Sequence, residues 1–332
     1  MQRRTFLRTG LTLPFLTSMA REDKRSLMPD RLQPGDTVGL IAPGSSISEE
    51  GIVKAIRQIE SLGLKVKVGK RLRAINGFLA GTDRQRIDDI HAMFADPTVK
   101  AVWCVRGGYG CGRLLPLLDY KMIKRNPKVL IGYSDITALT TAITRQTGLV
   151  TFHGPVGSSD FTDFTSMHLK AALLAGNSWA PIERPPVSPE GTAYESYVIR
   201  GGTAEGALWG GNLSLLAAAS GTDFAPPIKG SLLFIEDIGE DPYKLDRMLT
   251  QLRQSWNLSS AAGILLGIFK GCEADPDDRS LTLRETLTGR FEDLGVPVAY
   301  GFPIGHIKDM CTLPIGLKAR VSMEEMRIEI IE

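Results

Sequence analysis

Cysteine and histidine are both scarce in this chain, with four of each among 332 residues. Cys104, Cys111, Cys272 and Cys311 are too few for a disulfide scaffold and lack the C-x-x-C spacing of a zinc site. They read as small buried hydrophobes. Charge of one sign is missing too: 39 Lys and Arg stand against 37 Asp and Glu, a formal net charge of +2. Such an even mixture excludes the clustered basic face of a nucleic-acid binder. There is no long polar tract, and 43% hydrophobic with 23% charged residues is ordinary for a folded globular protein. A chain of this length holds one large or two moderate domains. No internal repeat is evident.

The first twenty residues stand apart. Arg3-Arg4-Thr5-Phe6-Leu7-Arg8 is followed by an apolar run from Leu11 to Leu16 and by Ser18-Met19-Ala20. That order reads as a twin-arginine signal peptide over residues 1–20, cleaved after Ala20, with an amphipathic first helix as the alternative. The apolar run falls well short of the ~20 residues that span a bilayer. The expectation is therefore export to the periplasm, with no membrane anchor after signal removal.

The remainder of the chain alternates in period. Thr37–Ala42 and Val99–Val105 are near-continuous apolar runs, as strands buried on both faces require. Leu64–Val68 and Val129–Ile131 are further strands. Ser48–Leu62, Asp83–Phe94 and Ile136–Thr147 repeat their apolar residues at helical spacing. This rhythm predicts an α/β fold with a doubly wound, mostly parallel sheet over residues 30–178. Pro181, Pro185, Pro186, Pro189 and Gly191 then interrupt any regular period, marking residues 179–196 as a linker. Beyond it, short β-like runs such as Tyr197–Arg200 and Leu232–Ile235, with a helix at Tyr243–Arg253, predict a smaller β-rich domain over 197–332.

One turn carries the strongest chemical signal. Ser134 in Gly132-Tyr133-Ser134-Asp135 follows a buried strand and opens a helix. Its hydroxyl is thereby placed at the carboxyl edge of the sheet, where ligands bind in open α/β folds. The N–H groups of the first helical turn also face any negative charge that develops beside it. The turn departs from the G-x-S-x-G hydrolase elbow, and a serine there can equally be a helix cap, so the local sequence leaves both open. A nucleophilic serine needs a base, and only His91, His153, His168 and His306 are available. His91 lies on the apolar stripe of its helix, and His168 reads as solvated surface. His153, at a strand end in the same domain, competes with His306, which sits in the loop Gly301-Phe302-Pro303-Ile304-Gly305-His306 where no periodic role explains an imidazole. For the acid that orients the base, Glu236 ends the apolar strand Leu232–Ile235, although its acidic neighbours Asp237, Glu240 and Asp241 also suit an ordinary loop. Arg106-Gly107-Gly108-Tyr109-Gly110 offers unshielded backbone N–H groups to an oxyanion or to a phosphate. No G-x-G-x-x-G follows the first strand, which weighs against a nucleotide. Glu273–Asp278 reads as a solvated acidic turn rather than a cation site.

Taken together, five blocks resemble the LD-carboxypeptidase family of serine peptidases: Leu79-Ala80-Gly81-Thr82-Asp83, Arg106–Gly110, Gly132–Asp135, the run from Gly210-Gly211-Asn212-Leu213 through Glu236-Asp237 to Asp246–Leu249, and Gly305-His306 before Leu313-Pro314. The resemblance covers the chain from about Leu32 to its end. It implies a Ser134, Glu236, His306 triad and an oxyanion hole of backbone N–H groups at Gly107, Gly108 and Asp135. It further implies no metal or other cofactor, a homodimer, and a murein tetrapeptide substrate shortened by release of its terminal D-alanine, as in murein recycling. Members that act on this substrate are largely cytoplasmic, so the export signal is a departure. The family also contains immunity peptidases that cleave an aminoacyl-nucleotide conjugate inside cells. Outside it, a periplasmic binding protein and a catalytically dead wall-binding module are the alternatives.

Overall fold

The computed structural model describes residues 26–185 and 195–331. The signal-peptide reading and three linker positions, Pro186, Pro189 and Gly191, lie outside the described residues. In chain order the first unit comprises β1 (Thr37–Ile41), α1 (Glu49–Glu60), β2 (Lys65–Val68), α2 (Asp83–Ala95), β3 (Val99–Cys104), α3 (Tyr120–Arg125), β4 (Val129–Gly132), α4 (Thr137–Thr147), β5 (Thr151–His153) and α5 (Asp163–Leu173). The second comprises β6 (Tyr197–Arg200), β7 (Thr203–Asn212), α6 (Leu213–Ala219), β8 (Ser231–Ile238), α7 (Pro242–Ser255), β9 (Gly263–Lys270), α8 (Leu283–Phe291), β10 (Val298–Gly305), β11 (Leu313–Ile315), β12 (Lys318–Ser322) and β13 (Arg327–Ile331). Among the described residues, no helix is long and apolar enough to cross a membrane.

Caps set the helix starts. The Ser48 side chain accepts from the Gly51 N–H ahead of α1, and Thr82 and Gln85 form a reciprocal capping box ahead of α2. The first sheet runs β11-β5-β4-β3-β1-β2, with β5 through β2 parallel. Both its faces are covered. α1 and α5 pack Ile52, Ile59, Leu169 and Leu173 against Leu40, Trp103 and Ile131, while α2 and α4 pack Ile90, Phe94, Leu139 and Ile143 against Ile41, Val102 and Leu130. That is the doubly wound arrangement the apolar strands predicted, because a parallel strand buried on both faces needs helices on both. From β1 the chain moves outward to β2 and then crosses back over β1 to β3, so the order reverses between β1 and β3. Ligands in such sheets bind outside the strand ends at that reversal.

The second unit is a seven-stranded sheet in the order β13-β12-β7-β8-β9-β10-β6. Its central strands β7, β8, β9 and β10 are parallel, a feature the short β-like runs did not announce, and α6, α7 and α8 cover one face through Leu216, Leu249 and Leu287. One strand crosses between the units. β11 pairs antiparallel with β5 and so completes the first sheet, yet its Leu313 and Ile315 pack in the core of the second. At the linker, Ile182 exchanges two backbone hydrogen bonds with Ile328 at 2.8 and 2.9 Å, fastening the chain to β13.

Candidate active site

Ser134 follows β4 and starts a short 3-10 turn that leads into α4. Its backbone has φ of 63°, one of two non-glycine residues with positive φ among the described residues. A side chain in this region costs on the order of 1–2 kcal/mol, so the surrounding structure must hold it there. Strand, strained serine and helix together form the sharp turn that lifts a hydroxyl above the sheet edge. The first N–H groups of such a turn lack intrahelical partners.

The Gly107 loop leaves the end of neighbouring β3 and runs against this turn. A β-carbon added at Gly107 would stand 2.9 Å from Ser134 Cβ and 3.1 Å from both Ser134 Oγ and the Asp135 nitrogen. Only glycine permits that approach. The Gly107 carbonyl accepts from the Ser45 N–H at 3.0 Å, and Ser45 Oγ accepts from the Tyr109 N–H at 3.1 Å, so the loop after β1 braces the glycines from the far side. Neither Ser45 nor the bracing role was legible in the sequence, although Gly44-Ser45 directly after a buried strand sits where such loops gather. Of the expected oxyanion positions, Gly107 and the Asp135 nitrogen lie against Ser134, while a β-carbon at Gly108 would meet Ser45 instead. The Asp135 side chain turns away, its Oδ2 accepting from the Cys111 N–H at 2.9 Å.

From the second unit, β8 delivers Glu236 and the end of β10 delivers His306. His306 Nδ1 and Glu236 Oε2 lie 2.8 Å apart, the carboxylate fully buried and the imidazole 14% exposed at its side chain. Burial pushes the Glu236 carboxyl above its ordinary value, and the imidazole beside it pulls the other way. A carboxylate at Nδ1 selects the tautomer that leaves Nε2 free to accept a proton. The Tyr133 ring, one residue before Ser134, packs on the His306 ring with centroids 4.8 Å apart. This contact brings the imidazole to the serine turn. Next to Glu236, Asp237 accepts from Asn212 Nδ2 at 2.9 Å and from the Ser214 hydroxyl at 2.8 Å, while the Asn212 N–H donates to Thr137 Oγ1 at 3.1 Å. The acid's strand is thus tied to the first turn of α4. Asn212 lies in a block the sequence singled out, but its tethering role depends on a contact between units.

The other histidines do different work. His153 is 1% exposed, its ring edge-on to Phe234 at 5.1 Å and to Tyr133 at 6.2 Å. Burial, with the nearby His306 adding to it, lowers its pKa to about 3, and neither ring nitrogen has a hydrogen-bond partner among the described residues. It underlies the site as a neutral ring, and the Glu236 carboxylate pairs with His306. His91 accepts the Asp119 N–H through Nε2 at 3.0 Å, a structural contact. The surface reading of His168 is corrected: it is 3% exposed, because its ring lies at 4.4 Å on Phe164, which packs on the core of the second unit. All four cysteines are buried and free. The Glu273–Asp278 stretch forms an exposed turn.

Each of the two units also matches a known protein family. Residues 38–154 match the LD-carboxypeptidase N-terminal domain and residues 205–321 the LD-carboxypeptidase C-terminal domain. The chain is 42% identical over 302 residues to a protein of Bacillus subtilis named probable murein peptide carboxypeptidase, covering 90% of this chain and 92% of that one. It is 37% identical to the murein tetrapeptide carboxypeptidase of Pseudomonas aeruginosa, covering 87% and 94%. Among solved structures, a microcin self-immunity protein in its unliganded state superposes with a TM-score of 0.82 at 26% identity, covering 92% of this chain and 98% of that one. The fold and these matches define a serine-type hydrolase. More narrowly, the chain belongs to the LD-carboxypeptidase family.

Proposed function

We propose that this protein is a serine carboxypeptidase that releases the terminal D-alanine from murein tetrapeptides. The observation that carries the reading is the buried Glu236 carboxylate at 2.8 Å from His306, whose ring packs on Tyr133 next to a serine with φ of 63°. His306 takes the proton of Ser134 as Oγ bonds to the carbonyl carbon of the L,D-peptide bond. The N–H groups of Gly107, Gly108 and Asp135 receive the oxyanion. When the C–N bond breaks, His306 returns the proton to the departing amine, leaving an acyl-enzyme. Water, deprotonated by His306, then cleaves the ester and restores Ser134. The substrate class rests on the names of the relatives at 42% and 37% identity.

Export through residues 1–20 would put this activity in the periplasm, and the protein would act there as a homodimer on stem peptides. A second reading has its own support: self-immunity proteins superpose on the whole fold, one of them determined with aspartyl sulfamoyl adenosine. One experiment separates the two. Mature protein is incubated with a murein tetrapeptide and, separately, with an aminoacyl sulfamoyl adenosine, and products are read by mass spectrometry. Loss of one alanine from the tetrapeptide, abolished by Ser134→Ala, is the expected result. Turnover of the nucleoside conjugate alone would favour the immunity reading, and an active Ser134→Ala would remove the nucleophile assignment.

A further inference from the structure

The block Leu79–Asp83 caps α2, and three residues on stands Arg86, a guanidinium with no exposed side-chain surface. So buried a cation must be compensated by hydrogen bonds, and both terminal nitrogens of Arg86 have them, while Nε has no partner among the described residues. Arg86 Nη2 donates to Asp83 Oδ1 at 2.6 Å, and Nη1 donates to the Gly110 carbonyl at 3.0 Å and to the Pro43 carbonyl. Those carbonyls belong to the two loops that brace each other beside Ser134. Asp83 is itself held from outside by Arg113, whose Nη2 donates to Asp83 Oδ2 at 2.9 Å.

The grip on Gly110 has a counterpart. The peptide unit joining Gly110 to Cys111 offers its carbonyl to Arg86 and its N–H to the Asp135 carboxylate, 2.9 Å away. One peptide plane is therefore clamped between a buried cation and the side chain that follows Ser134. Gly110 has φ of 121°, and a β-carbon there would stand 2.7 Å from Arg86 Nη1, so the loop closes directly on the guanidinium. With this end fixed and Gly107 against Ser134, the intervening N–H groups have little freedom to rotate.

We propose that Arg86 is a positioning residue: it sets the Gly107–Gly110 loop so that its N–H groups are preorganised toward the oxyanion. This rests on the reading of that loop as the oxyanion hole. A misplaced donor weakens transition-state binding more than substrate binding, so the loss should fall on kcat rather than on KM.

The test compares wild type, Ser134→Ala, Arg86→Lys and Arg86→Met. Two rates are read: tetrapeptide turnover, and covalent labelling by a fluorophosphonate, whose adduct needs the same donors but no peptide recognition. Lysine cannot span two carbonyls and Asp83 at once. Arg86→Lys is expected to lower kcat and the labelling rate about 10-fold, and Arg86→Met about 100-fold, with KM within about twofold of wild type. Urea unfolding identifies which variants are folded, and Arg86→Lys carries the test if Arg86→Met is not. A folded Arg86→Lys with wild-type kcat and labelling overturns the proposal, as does a loss confined to KM. Loss of fold in both variants assigns Arg86 to stability alone and overturns it equally. Should wild type resist labelling, or Ser134→Ala accept it, the nucleophile reading fails instead, whatever Arg86 does.

Discussion

Glu236 and His306 occupy opposite electrostatic situations. The carboxylate has surrendered all its contact with water, and Oε2 has recovered a partner in His306, while Oε1 has no hydrogen-bond partner among the described residues. In the proposed mechanism its charge is stabilised by the imidazolium that forms during catalysis. Replacing Glu236 by Gln keeps the volume and removes that charge. Steady-state kinetics of Glu236→Gln should show kcat reduced on the order of 10²- to 10⁴-fold with KM little changed; an unaltered kcat would exclude Glu236 from the triad. His153 and His168 govern a different property. Burial holds their pKa values near about 3 and about 4, against an ordinary 6.5. Both stay neutral in the folded chain, while their unfolded counterparts take up protons below about pH 6.5. The unfolded state binds more protons across that window, so stability should fall as pH drops from about 6.5 toward 3, by on the order of a few kcal/mol in all. Urea midpoints measured at pH 7.5 and 5.5 should separate, and His153→Phe should narrow the gap. Equal midpoints for wild type would refute the account.

At the scale of the element, the turn between β4 and α4 stores strain that the helix cap alone would not need. Serine caps ordinarily take extended backbone, as Ser48 does ahead of α1 with φ of −70°, whereas Ser134 has φ of 63°. The contrast sets the Ser134 backbone apart from that of an ordinary serine cap. It also yields a measurement. Ser134→Gly relieves the strain and Ser134→Ala retains it, so the glycine variant should be the more stable of two inactive proteins, by about 1 kcal/mol in chemical unfolding. If alanine proved as stable as glycine, the turn would not be strained in solution. Helices α2 at Asp83–Ala95 and α4 at Thr137–Thr147 were legible to within a residue, since both follow from apolar spacing. The parallel centre of the second sheet was not, because a fully buried strand shows the same apolar run whichever direction its neighbour takes.

Across the whole molecule, the two units share more than a groove. β11 is hydrogen-bonded into the first sheet while its side chains belong to the second core, and the Asn212 N–H reaches the Thr137 hydroxyl of α4. Neither unit can lose its packing without exposing apolar surface of the other. Unfolding is therefore expected to be a single transition. Trp103 lies in the first core and Trp209 in the second. Single-tryptophan variants retaining one or the other should give coincident urea midpoints; resolved midpoints would show two independently stable domains.

By itself the sequence determined the alternation of elements, the doubly wound first sheet, the strand-end positions of Ser134 and Glu236, and the short supply of histidines from which a base could come. These are local matters of period, turn residues and composition, written within a few residues of one another. Only the tertiary structure set His306 beside Glu236, buried His153 and His168, aimed Asp135 at the Gly110-Cys111 peptide, and carried β11 across to the first sheet. Each of those depends on which residues distant in sequence meet, such as Glu236 and His306, seventy positions apart. Such meetings are set by packing and by the dielectric around each group, and no local pattern encodes either.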